Sequence, residues 1–180
     1  IRDRVNRVPA GVFLQPTFTW GQVRSGGDVE IGVHPMLLSL LGPNLQMETR
    51  SAGEHVDKGD PLMTVGDGER HLVIRSPVTG SISMANAVPP VDTEWQSRSD
   101  RTCLIQPESL SDEVPTWMLG QSAVDWSREQ YGRIRDHLLA RSADPQTGLA
   151  LADGGELPVG ALKQLSEDEW ADFEEEFLNA

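Results

Sequence analysis

The stretch Gly53-Glu54-His55-Val56-Asp57-Lys58-Gly59-Asp60-Pro61-Leu62-Met63-Thr64-Val65-Gly66-Asp67-Gly68-Glu69-Arg70-His71-Leu72-Val73-Ile74-Arg75-Ser76-Pro77-Val78-Thr79-Gly80-Ser81-Ile82 decides the fold. Three short apolar runs, Pro61 to Val65, Leu72 to Ile74 and Gly80 to Met84, are separated by clusters of Gly, Asp and Pro. Short runs bounded by such turns predict β-strands joined as hairpins. Asp67-Gly68 predicts a two-residue type I′ turn, which needs positive φ at both central residues.

The same rhythm continues outward on both sides. Val12-Phe13-Leu14, Val29 to Val33 and Cys103 to Ile105 are further strands, with turns at Ser25-Gly26-Gly27-Asp28 and Ala52-Gly53-Glu54. Residues from Val12 to Pro107 are therefore predicted to be mainly β, a small sandwich or barrel. One run breaks the pattern: in His34 to Leu41, the spacing of Met36, Leu37, Leu40 and Leu41 predicts a short helix ending at Gly42-Pro43. After Pro107 the reading turns helical, with a long helix over Trp117 to Arg141. Residues 142–165 carry Asp144-Pro145, Gly148, Asp153-Gly154-Gly155 and Pro158, and predict an extended strap. Ser166 with Glu169 predicts a capping box opening a terminal helix, on which Trp170, Phe173 and Phe177 share a face. Those aromatics need a surface, either the parent domain or a partner.

Composition narrows the function. The 180 residues are 38 % hydrophobic and 24 % charged, a globular balance. The longest apolar stretch, Met36 to Leu41, is far shorter than the roughly 20 residues that span a bilayer. A single cysteine, Cys103, excludes an internal disulfide and multi-cysteine metal sites. His34, His55, His71 and His137 show no metal-ligand spacing. The net charge of −13 argues against a nucleic-acid partner. Seven acids between Ser166 and Ala180, with no base, supply −7 of it. At the other end Arg2, Arg4 and Arg7 against Asp3 give +2, a basic start suited to an anionic membrane surface or an acidic partner. The first residue is Ile1 rather than Met. The expectation is a processed form or part of a longer product, with a preceding signal or anchor left open.

Several of these segments resemble the glycine cleavage H proteins, lipoyl carriers of the biotinyl/lipoyl hammerhead class, over most of residues 11–140. Thr19-Trp20 is similar to the family's His-Thr-Trp opening, and Val29-Glu30-Ile31-Gly32-Val33 to the strand that follows. Leu40-Leu41-Gly42 resembles the end of its short helix. Gly53 to Pro61 resembles its Gly-Asp-x-Val-x-x-Gly-Glu turn, and Ser76 to Ile82 its Ala-Pro-Val-Ser-Gly-x-Val strand. Leu119-Gly120, Ala123 and Trp126 resemble its C-terminal helix. The resemblance implies a barrel-sandwich hybrid followed by C-terminal helices.

The resemblance also implies a lysine at a hairpin tip, carrying lipoate through an amide bond to the ε-amine. Counting back from Gly80, that position falls on Glu69. Glu has no amine, and Arg70 is no substitute acceptor. No lysine lies between Lys58 and Lys163, the only two in the chain. The family's histidine is Phe18 here, and its Pro-Tyr-Gly-x-Gly-Trp segment is replaced by Gln96 to Cys103.

The expectation is a non-catalytic scaffold subunit with no cofactor and no metal. Its divisions would be a basic extension (1–10), an H-protein-like domain (11–141), a strap (142–165) and an acidic docking helix (166–180). Partner docking is assigned to Trp170, Phe173, Phe177, Glu174, Trp126, Arg2, Arg4 and Arg7. The expected host is a membrane-associated assembly, respiratory or photosynthetic, on the cytoplasmic face of a bacterial membrane, and the partners are other protein subunits. The alternative is a lipoyl or acyl carrier loaded at Lys58 or Lys163. A free-standing enzyme or small-molecule regulator would need a deep pocket with convergent polar groups, which the sequence does not show, and no nucleophile motif, phosphate loop or dinucleotide fingerprint is present.

Overall fold

In a computed structural model, residues 1–86, 95, 103–141, 151 and 154–179 are described. The elements in chain order are α1 (Arg2–Val5), β1 (Phe13–Gln15), β2 (Thr19–Val23), β3 (Val29–Val33) and α2 (Pro35–Leu41). Next come β4 (Gln46–Thr49), β5 (His55–Val56), β6 (Pro61–Gly66), β7 (His71–Arg75), β8 (Gly80–Ala85) and β9 (Cys103–Pro107). Helices α3 (Leu110–Glu113), α4 (Gly120–Arg141) and α5 (Glu167–Phe177) close the chain, with 3₁₀ turns at Val114–Thr116 and Ala161–Gln164.

The strands form two antiparallel sheets, ordered β1-β2-β3-β9-β8-β5 and β4-β6-β7. This is the mainly β architecture with C-terminal helices that the sequence predicts, as two sheets rather than a closed barrel. Alternation explains the core between them. Val29, Ile31 and Val33 of β3 and Leu72 and Ile74 of β7 are buried, and they pack with Val56, Leu62, Ile82 and Ile105. Gly80 in Pro77-Val78-Thr79-Gly80 has a steric reason: a Cβ there would sit 2.1 Å from the Gln106 carbonyl oxygen across the β8–β9 ladder.

Helix α2 is buried all round rather than along a stripe, plugging the core. Its N-cap is His34, whose Nδ1 accepts from the Met36 backbone N–H at 3.0 Å. The long helix begins at Gly120 instead of Trp117. Trp117 stacks on Phe13 with ring centroids 3.5 Å apart, and Met118 forms a single bridge to Leu14 of the edge strand.

The two ends of the chain depart from expectation. The basic start is short helix α1, with Val5 buried. Arg2 pairs with Glu156 at 3.7 Å, and Arg4 donates to Ser39 Oγ. The described half of the strap is packed rather than extended: Leu157, Ala161 and Leu162 are buried, and the Leu157 N–H donates to the Tyr131 hydroxyl at 3.0 Å. Residues 142–150, 152 and 153 lie outside the described residues. The capping box of α5 forms as predicted, Ser166 Oγ accepting from the Glu169 N–H and Glu169 Oε2 from the Ser166 N–H.

Candidate functional site

The β6–β7 hairpin builds the candidate site from its turn upward. Gly66 pairs with His71, so the connection is Asp67 to Arg70. The expected Asp67-Gly68 type I′ turn does not form. Only Gly68 has positive φ, at 94°. Asp67 instead folds its carboxylate over the turn, Oδ1 accepting from the Glu69 and Arg70 N–H groups, each at 3.1 Å. The Arg70 N–H, the largest cause, holds this carboxyl below its usual range. The turn is thereby centred one residue later than predicted, on Gly68-Glu69, and exposed Glu69 stands at the tip.

Arg70 and Lys163 pin this tip to the C-terminal segment. Arg70 Nη1 donates to the Leu165 carbonyl at 2.6 Å and Nη2 to the Lys163 carbonyl at 3.0 Å. Its guanidinium also lies 4.6 Å from the Trp170 ring centroid. Lys163 returns the contact, its Nζ 3.9 Å from Asp67 Oδ2 and 3.4 Å from the Pro43 carbonyl oxygen. Neither partnership has a local sequence signal, because the residues joined are more than 90 positions apart.

The other lysine is engaged elsewhere. Lys58 precedes β6 and the tip follows it, about 20 Å away along the strand at ~3.3 Å per residue. Lys58 Nζ donates to Thr116 Oγ1 at 2.9 Å and lies 3.5 Å from Glu113 Oε2. Glu113 is buried, and its Oε1 accepts from the Thr79 N–H at 2.9 Å. This knot ties the Asp57–Asp60 turn to α3.

The residues assigned to partner docking are largely used inside the chain. Trp170, Phe173 and Phe177 belong to the main core, so the parent domain takes them and they are not a docking face. The Phe173 and Phe177 centroids lie 5.0 Å apart. Arg133 and Arg141 of α4 pair with Glu176 and Asp172 of α5. Trp126 packs on Phe18 and His34, at 5.1 and 6.1 Å between centroids. Glu174 is half-buried, its backbone carbonyl accepting from the Leu178 and Asn179 N–H groups. Arg7 remains exposed.

Two other chemistry-bearing groups, His34 and Cys103, are buried. His34 is fully buried, and with Nδ1 accepting, Nε2 carries the hydrogen toward Ser127 Oγ at 3.0 Å. Burial pushes its pKa down to about 3, so it stays neutral. Cys103 lies in β9, where burial pushes the thiol up to about 12. His55 is exposed, with Asp57 and Glu108 beside it. Among the described residues no cluster of His, Cys, Asp and Glu could hold a metal ion. No described helix is long and apolar enough to cross a membrane.

Two antiparallel sheets with a buried helix between strands and trailing helices form an H-protein-like fold. A solved structure with this fold is a glycine cleavage system H protein from Mycobacterium marinum. It aligns with a TM-score of 0.54 at 18 % identity, over 67 % of this chain and 99 % of that one. No known family model and no curated protein matches the sequence. Lipoate, which the resemblance implies, does not fit the tip as built, because the Glu69 carboxylate cannot supply the amide nitrogen. The amine nearest the turn, Lys163 Nζ, is held by Asp67.

Proposed function

We propose that this chain is a non-catalytic protein-docking module on an H-protein fold, serving as a structural subunit of a larger assembly without an acyl arm. The observation that carries this reading is the hairpin tip: Glu69 stands where the amine is required, and Arg70 and Lys163 tie the turn to a segment of the same chain. A swinging arm needs an acceptor amine on a tip free to visit its partners, and this tip has neither. The partners are proteins, met through surfaces left exposed around Glu69 and the outer acids of α5. The expectation of a membrane-associated respiratory or photosynthetic host rests on the family resemblance, the non-Met start and the basic first residues. Two of those three arginines are now engaged within the chain, so the proposal does not depend on that host.

A second reading, a lipoyl or acyl carrier, is favoured by the fold likeness taken alone and by Lys163, whose amine reaches the turn in space. Intact-mass measurement on the full chain purified from its native cells separates the two. The scaffold reading expects the unmodified mass and recovery with protein partners in fixed ratio. A lipoyl or acyl adduct on Lys163 or Lys58 would establish the carrier, and recovery as a free monomer would end the scaffold reading. The full chain is used because residues 154–179 supply Phe173 and Leu162 to the core.

A further inference from the structure

The faces where α4 and α5 meet carry an ordered pattern of charge and aromatic rings. Arg133, His137 and Arg141 recur every four residues on α4 and therefore share a face. Arg133 Nη2 donates to Glu176 Oε1 at 2.8 Å, and its guanidinium lies 5.3 Å from the Phe177 centroid. Arg141 pairs with Asp172. Between these ion pairs, the His137 ring meets Phe177 edge-on at 5.3 Å and Phe173 at 6.5 Å. Its Nε2 is shut off from solvent and has no hydrogen-bond partner among the described residues.

We propose that His137 makes the seating of α5 pH-sensitive, its protonation loosening the terminal helix while the two sheets stay intact. A neutral imidazole suits an aromatic seat. An imidazolium would bring an N–H without an acceptor into that seat, and would stand as a third cation between Arg133 and Arg141. Asp172 and Glu176 of α5 oppose this, but each is already bound to an arginine. On α4, Asp136 pairs with its neighbour Arg135. Burial first and Arg141 second hold the imidazole below its ordinary value, against Glu176 and Asp172. The sign follows. The seated helix favours the neutral ring, so seating is strongest above a pH of about 6.5 and weakens as pH falls below it.

Hydrogen exchange on the full chain between pH 7.5 and 5.0, corrected for intrinsic rates, tests this. The expected result is an opening constant for α5 amides that rises below pH about 6.5 by up to about tenfold per unit, the limit for one proton. Amides of β3, β8 and β9 report global opening, whose pH response should be the same in the wild type and the His137 variants, which separates it from the opening of α5. His137→Phe and His137→Gln should both flatten the α5 response, the first keeping an aromatic ring and the second a polar group. The proposal is overturned if α5 protection does not change with pH, if it changes only in step with the sheets, or if either folded variant keeps the slope.

Discussion

At the hairpin tip, the C-terminal segment is held by a guanidinium fork on two carbonyls and a half-exposed lysine near a carboxylate. At α4, the same segment is held by Phe173 and Phe177, buried and flanked by ion pairs. The two seats differ in what they contribute. Exposed pairs are worth about 0–1 kcal/mol each, whereas a fully buried aromatic contributes about 1.5–3 kcal/mol. The apolar seat therefore keeps the segment in place, and the polar seat fixes where the turn points. A contact can be weak in stability and still decide what a functional position is able to do.

The largest expected effect breaks the apolar seat. Phe173→Ala leaves a cavity at a fully buried site and should cost about 3–5 kcal/mol, read as a lower denaturation midpoint. If Phe173→Ala costs less than 1 kcal/mol, α5 is an ornament on the domain and the comparison fails.

Next comes a test away from both seats. His34 is neutral when folded, its pKa about 3 against 6.5 when exposed. Its contribution is complete above pH 6.5 and is lost as pH falls from there toward 3. Between pH 7 and 5 this amounts to about 2 kcal/mol of global stability. Denaturant melts at the two pH values check it, and equal midpoints would show that the imidazole is not held neutral.

Breaking the polar seat should cost less. Arg70→Ala removes the fork and the stacking on Trp170, and about 1 kcal/mol is expected. Arg70→Lys should recover little of it, because a point charge cannot bond two carbonyls as a planar fork does. Protection at the Asp67–Arg70 turn should fall in both variants while α5 stays seated. Loss of α5 protection on Arg70→Ala would mean that the two seats are one cooperative unit.

What was legible in the sequence divides along the same line. Strands β1, β3, β6, β7, β8 and β9, the plug helix and the capping box rest on local apolar runs and caps and are read directly, whereas β2, β4 and β5 lie outside the apolar runs that predict strands. Trp170, Phe173 and Phe177 were legible as a face that needs a cover, but the cover is α4 and the core of the same chain, a choice periodicity does not encode. The tip turn slipped by one residue because the Asp67 carboxylate, rather than the Asp67 backbone, supplies the turn geometry. The clamp role of Arg70 is invisible to local pattern, because both carbonyls it grips lie in a segment that only the fold brings near.

The smallest effect concerns the tip itself. Glu69 is exposed, and the contact it makes to the turn is its backbone N–H, donated to Asp67. A lysine side chain leaves that bond in place, so Glu69→Lys should shift stability by no more than about 0.5 kcal/mol and leave turn protection unchanged. A near-zero result carries information. It would show that the fold does not demand Glu at this position, so the absence of an amine there is no compromise with folding and belongs to function. A cost above 1 kcal/mol would instead make Glu69 part of the clamp that Arg70 and Lys163 form. The missing lysine would then follow from how the tip is tied down rather than from what it no longer carries.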